Sequence, residues 1–233
     1  MRSVFHQELA SLSDQLVELS RLSARALNRA TQAMLETDLA LAEKVISEDD
    51  DIDAVRRDLD NRAIDALARQ QPVATDLRQL VTTLRMSSDL ERAGDLAAHV
   101  AKLTRLRYPE PVLPEALRPT FVEMAQAAEA MVLRAGEIVE TLDENGAIEL
   151  QGRDDTIDRL HRDVFRILLE PEFAGQNQLV IDATLLSRYF ERYADHAVSV
   201  AIRVVFLVTG NWHDEEEYDQ HEHRFDMVPR AED

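Results

Sequence analysis

The chain has 233 residues, no cysteine, and 45 acidic against 26 basic side chains, for a formal net charge of −19. Such a charge opposes non-specific attraction to phosphate backbones or anionic lipid, which sets nucleic acid aside as a partner. The missing cysteine excludes disulfides and thiolate metal sites, so any metal would be held by oxygen or imidazole, and few glycines and prolines amid abundant Ala, Leu, Glu and Arg predict an all-α protein.

The first residues, Met1 to Glu8, hold no apolar run of secretory type and lead directly into an amphipathic pattern, so a cytoplasmic protein without direct membrane insertion is expected. Leu9, Leu12, Leu16, Leu19, Leu22, Ala26, Ala30 and Ala33 recur at three-and-four spacing, which predicts a first helix from about Val4 to Leu35. Thr37-Asp38 ends it, with Asp38 as N-cap of a second helix reaching about Arg69. The middle of that helix is very acidic, Glu48-Asp49-Asp50-Asp51-Ile52-Asp53, and Gln70-Gln71-Pro72 closes it, since proline disfavours helix in the residue before it. A third helix starts between Val73 and Asp76 and continues to about Leu106. Three helices joined by short turns imply an antiparallel bundle.

Tyr108-Pro109-Glu110-Pro111-Val112-Leu113-Pro114, followed by Pro119, marks a boundary, after which the plan repeats. A fourth helix is predicted from about Leu117 to Leu142, ending before Asp143-Glu144-Asn145-Gly146, where Asn-Gly supplies a turn. A fifth is predicted from about Ile148 to Leu169, closed by Glu170-Pro171, and a sixth from about Asn177 to Thr209, with Gly210 as C-cap. The apolar run Val198 to Val208, interrupted by Arg203, is about half of the roughly 20 residues a membrane span needs, so it reads as a buried helix. The expected organisation is a three-helix repeat over 1–107, a proline-rich linker over 108–119, a second three-helix repeat over 120–211, and an acidic mobile tail over 212–233.

Each half carries two carboxylate pairs at i, i+4. Asp49/Asp53 and Glu91/Asp95 lie on the second and third helices, and Asp154/Asp158 and Glu191/Asp195 on the fifth and sixth. Two like charges on one helix face cost a few tenths of a kcal/mol unless something cationic sits between them. Neighbouring helices should bring four carboxylates together in each half, and a multivalent cation would resolve the repulsion. The plain alternative is salt-bridged surface carboxylates, because Asp53 has Arg56 and Arg57, Asp158 has His161 and Arg162, and Glu191 has Arg188 at pairing distance. Repetition of both pairs in otherwise diverged halves brings the metal reading level with that alternative. Arg92 and Arg192 are expected to pair with acids elsewhere in the bundle, His99 and His196 to be structural, and His213, His221 and His223 to be solvated in the tail. No glycine-rich phosphate loop, nucleophile elbow or HExxH is present. The Glu-x-x-His of carboxylate-bridged di-iron enzymes is replaced by Glu-x-x-x-Asp, which weakens an oxidase; the competing reading is a metal-dependent enzyme, an oxidase or a phosphohydrolase, using the same carboxylates.

With these residues in view, the chain resembles the PhoU family of phosphate-uptake regulators. The likeness runs from Phe5 to about Gly210 as two repeats. It rests on Gln71-Pro72-Val73-Ala74-Thr75-Asp76-Leu77-Arg78 and on Glu-Arg-x-Gly-Asp at Glu91 to Asp95 with its Glu-Arg-x-Ala-Asp twin at Glu191 to Asp195. The second half has Gly175-Gln176-Asn177-Gln178 where the first has the Gln-Pro-Val-Ala phrase. The resemblance implies two tandem antiparallel three-helix bundles related by a pseudo-twofold repeat. It also implies a regulator and not an enzyme, one that restrains the ATPase subunit of a phosphate ABC transporter and a phosphate-sensing histidine kinase when phosphate is plentiful. It further implies divalent or trivalent metal (Mg, Mn, Fe or Zn) on Asp49, Asp53, Glu91 and Asp95 and on Asp154, Asp158, Glu191 and Asp195. A homodimer is expected from metal-bridged or helical association.

Overall fold

The structure, a computed structural model, describes residues 2–211; the acidic tail lies outside the described residues. Helix α1 (Arg2–Glu36), α2 (Leu39–Gln70) and α3 (Ala74–Arg107) form the first repeat. The second contains α4 (Arg118–Thr141), α5 (Glu144–Gln151), α6 (Asp154–Leu168) and α7 (Asn177–Thr209), with 3-10 turns at Glu115–Leu117 and Pro171–Phe173. Among the described residues there is no strand, and no helix is long and apolar enough to cross a membrane.

Local chemistry accounts for most boundaries. The Asp38 carboxylate accepts the Leu41 N–H at 3.0 Å and so satisfies one of the amide groups that open α2. Gln71 ends α2 in the left-handed region (φ 48) directly ahead of Pro72, and Gly210 does the same for α7 (φ 77). The second repeat departs from expectation in one place. The predicted fifth helix is two helices, α5 and α6, interrupted at Gly152-Arg153. Asn145-Gly146 is not a turn but part of α5's first turn, because the Asp143 carboxylate accepts the Gly146 N–H at 3.0 Å; the chain turns instead at Leu142 (φ 52). Asp154 therefore begins a helix, whereas its counterpart Asp49 lies well inside one.

The repeats share one core. Helices α1, α3, α4 and α7 pack on one another at the centre, α2 lies against α1 and α3, and α5 and α6 lie against α7 and α4. Val112, Leu113 and Leu117 of the proline-bearing connection are buried in the same core. α3 and α7 run antiparallel, as their ties show. Arg78 donates to the Phe206 and Leu207 carbonyls at the end of α7, each at 3.3 Å, while Arg107 makes a bidentate pair with buried Asp182 at 2.5 and 2.9 Å at its start. Between them, Asp89 accepts from Arg203 Nε at 2.7 Å and faces His196 Nδ1 at 3.3 Å, and His99 stacks on Tyr189. Arg78 thus gives the Gln-Pro-Val-Ala-Thr-Asp-Leu-Arg phrase a structural task, capping the final helix with a cation where its carbonyls are exposed.

The seam between α2 and α3 is held close by Gly94. A Cβ there would stand 2.8 Å from Ile52 Cδ1 and 3.2 Å from its Cγ2. Ile52 belongs to the acidic phrase of α2 and Gly94 to Glu-Arg-Ala-Gly-Asp of α3, so each phrase supplies the surface against which the other packs. On the same side Ser23 of α1 donates to the Leu90 carbonyl at 2.7 Å. Replacing Gly94 with valine should overpack this seam and lower the unfolding free energy by about 1–3 kcal/mol, read as a urea midpoint shift at unchanged slope.

Candidate metal centre

The antiparallel run of α2 along α3 sets Asp49 opposite Asp95 and Asp53 opposite Glu91. Each side feels the other: burial first, and then the Asp95 charge, push the Asp49 carboxyl up, while Glu91 is raised by burial, Asp95 and Asp53. In the second repeat α6 and α7 bring Asp154 to Asp195 and Asp158 to Glu191. Asp154 is pushed up to about 7 by burial and by Asp158, Glu191 and Asp155, and Asp195 to about 7 by burial, Asp154 and Glu191. All eight carboxylates singled out from the sequence therefore fall into two groups of four, one on each outer seam. In neither do three of them, among the described residues, already face a single point as a coordination shell would.

The two groups differ in how their charge is met. In the first, every carboxylate has a cation: Arg57 to Asp53 at 3.3 Å, Arg56 to Glu91 at 3.4 Å, Arg92 to Asp95 at 3.6 Å and Lys102 to Asp49 at 3.9 Å. These are partly exposed pairs worth little each. Two contacts depart from expectation. Arg56 leaves Asp53 for Glu91 across the seam and for Asp60 one turn on along α2, and Arg92 pairs with Asp95 on its own helix one turn away. In the second group, Arg188 pairs with Glu191, and Asp154, Asp158 and Asp195 have no cationic partner among the described residues. Asp154 Oδ1 is buried without a hydrogen-bond partner. An orphaned carboxylate oxygen beside three more carboxylates fits an oxygen-seeking cation, which would satisfy the lone pair and reduce the repulsion together.

His161 was legible in the sequence only as a neighbour of Asp158. It is 4% exposed, its Nδ1 lies 2.6 Å from the Ser187 hydroxyl, and its Nε2 lies 3.9 Å from Glu191 Oε2. Burial, followed by the Arg188 charge, pushes its pKa down to about 4, so the ring is neutral. The signal that finds it is repeat alignment: His161 stands where the first half has Arg56, three residues beyond the second aspartate of the pair. Ser187 is fully buried, which keeps its hydroxyl from any substrate despite the imidazole beside it.

In chelated protein the raised carboxyls of Asp154 and Asp195 bind more protons folded than unfolded, so their contribution to stability is present below about pH 4 and lost as pH rises towards 7. His161 acts oppositely, since its lowered pKa costs stability as pH falls below the ordinary imidazole value. The carboxylate part is isolated by comparison. Relative to wild type, Asp154→Asn/Asp195→Asn should gain stability as pH is raised from 5 to 8, measured by urea midpoints in chelator; a constant difference would show that the two carboxyls do not carry the shift.

Known proteins agree with this architecture. A family model described as "PhoU domain" matches residues 16–104 and again 121–204, one match in each repeat. The phosphate-specific transport system accessory protein PhoU homolog 2 of Mycobacterium tuberculosis is 43% identical over 210 residues, 90% of this chain and 99% of its own. Homolog 1 of the same organism is 42% identical over 90% of this chain and 95% of its own. The crystal structure of the phosphate transport system regulatory protein PhoU from Streptococcus pneumoniae superposes with a TM-score of 0.82 at 25% identity, over 90% of this chain and 99% of that one. Two matched repeats, and identity sustained along nearly the whole of these relatives, place the chain in the PhoU family.

Proposed function

We propose that this chain is a cytoplasmic regulator of phosphate uptake that works by protein contact and not by catalysis, with metal bound in each repeat. It restrains the ATPase subunit of a phosphate ABC transporter and the phosphate-sensing histidine kinase when phosphate is plentiful. Family membership supports the phosphate-uptake role, since the matched relatives carry that description. The observation that most supports metal is the second carboxylate group, where Asp154 Oδ1 is buried without a partner beside Asp158, Glu191 and Asp195. Asp49, Asp53, Glu91 and Asp95 would hold the cation of the first repeat, and Asp154, Asp158, Glu191 and Asp195 that of the second. Bound metal would neutralise the seam and fix α2 on α3 and α6 on α7, giving the outer surface one shape.

Contact with partners is assigned to α3 and α7, where Leu77, Val81, Ile181 and Leu185 are exposed, Val81 and Ile181 at corresponding places in the two repeats. The same apolar positions would serve a homodimer. Co-precipitation with the ATPase subunit and with the kinase, each with and without chelator, tests the scheme. Chelation or Asp154→Asn/Asp195→Asn should lower metal content and partner capture together. Full capture by metal-free protein would break the link between metal and regulation.

A further inference from the structure

Among the described residues one face of α3 and α7 stays uncovered, and the two helices pattern it alike. On α3 Leu77, Val81, Arg85 and Arg92 follow one outward stripe, and on α7 Ile181, Leu185, Arg188 and Arg192 do the same. Because the helices run antiparallel, each apolar pair lies at one end of the face and the arginines meet in the middle. Arg78 donates to the Phe206 and Leu207 carbonyls, which sets Leu77 and Val81 beside the last turns of α7. Arg107 on Asp182 sets Ile181 and Leu185 at the far end. Along α3 the two ties stand about 40 Å apart, at roughly 1.5 Å per residue. The order across the face is thus apolar, cationic, apolar, in a chain whose net charge is −19.

Residues 212–233, beyond the second family match that ends at 204, have a complementary order. Trp212 comes first, then Asp214, Glu215, Glu216, Glu217 and Asp219, and then Phe225, Met227 and Val228; nine side chains of this segment are acidic and two are arginine. The segment begins where the face begins. α7 ends at Gly210 in the left-handed region, and a Cβ there would stand 2.6 Å from Arg78 Nη1, so the chain leaves α7 against the residue that follows Leu77. At up to about 3.3 Å per residue, Trp212 stays within about 7 Å of that point, while Phe225 has a reach of about 50 Å, enough to pass the arginines and meet Ile181. We propose that residues 212–233 bind across the α3–α7 face of their own chain. Trp212 lies against Leu77 and Val81, the acids over the arginines, and Phe225 to Val228 against Ile181 and Leu185. The tether holds the segment near the face at an effective concentration on the millimolar order, so weak contacts suffice. Those apolar positions are the ones assigned above to partners; resting on that reading, the segment competes with the ATPase subunit and the kinase for one surface.

The full chain tests this directly, since Trp212 is its single tryptophan and it contains no cysteine. A spin label on Gln220→Cys should broaden the methyl signals of Val81 and Leu185 in the same molecule, and Trp212 of wild type should be shielded from acrylamide quenching. Glu215→Lys/Glu216→Lys/Glu217→Lys leaves the face itself intact. Combined with the label it should lose the broadening, expose Trp212, and raise capture of the ATPase subunit about threefold or more as the face becomes free. Methyl signals untouched by the label, or broadened only when label and methyl sit on different copies, overturn the docking. A released segment with unchanged capture overturns the competition. If neither form captures the ATPase subunit or the kinase, the phosphate-regulator reading fails, and the methyl signals still decide the docking.

Discussion

Two antiparallel helix seams, α2 on α3 and α6 on α7, each force four carboxylates into partly dry space, and much of the surrounding structure is arranged to tolerate that. Burial alone disfavours the charged form of an acid, and neighbouring acids disfavour it further. The first seam answers with four cations at its rim: Arg56, Arg57, Arg92 and Lys102. The second answers with Arg188 and with partial protonation of Asp154 and Asp195 near neutral pH. A duplicated motif has thus reached two electrostatic solutions, and only one leaves a buried carboxylate oxygen without a partner.

The seams stay closed because the core beneath them is continuous. α3 and α7 are locked end to end by Arg78 on the α7 carbonyls and Arg107 on Asp182, with Asp89, His196 and Arg203 between. The two carboxylate groups lie where an outer helix packs on each member of that central pair, α2 on α3 and α6 on α7. A cation at either would fasten an outer helix to a central one without disturbing the shared core, and so would change surface shape at small cost to overall stability.

Much of this was legible in the sequence because it is local. Three-and-four spacing of Leu and Ala gave the helices, Asp38, Pro72 and Gly210 gave their ends, and internal repetition singled out eight carboxylates that feel one another's charge across the two seams. What was not legible depends on what lies across a seam. Gly152 alone gave no warning that the predicted fifth helix would divide, since one glycine costs only about 1 kcal/mol against alanine in a helix. Asn145-Gly146 has the composition of a turn, yet the Asp143 carboxylate captured it for a helix start. Arg56 and Arg92 had acids available both on their own helix and across the seam, and no spacing rule chooses between them.

His161 shows the same limit from the other side. Beside Asp158 on one helix it looks like an ordinary i, i+3 partner. Its environment comes from α7, which supplies Ser187 and Glu191 one turn apart on the face that α6 covers. Division of the long helix at Gly152 puts Asp154 at the start of α6, where the helix dipole favours a carboxylate, and with no arginine or lysine paired to it. The same duplication that kept the carboxylate spacing therefore freed the second repeat to exchange a guanidinium for an imidazole. Arg56 is a permanent counter-ion in the first seam, whereas burial keeps His161 neutral, and the fixed positive charge of the second seam comes instead from Arg188 on α7.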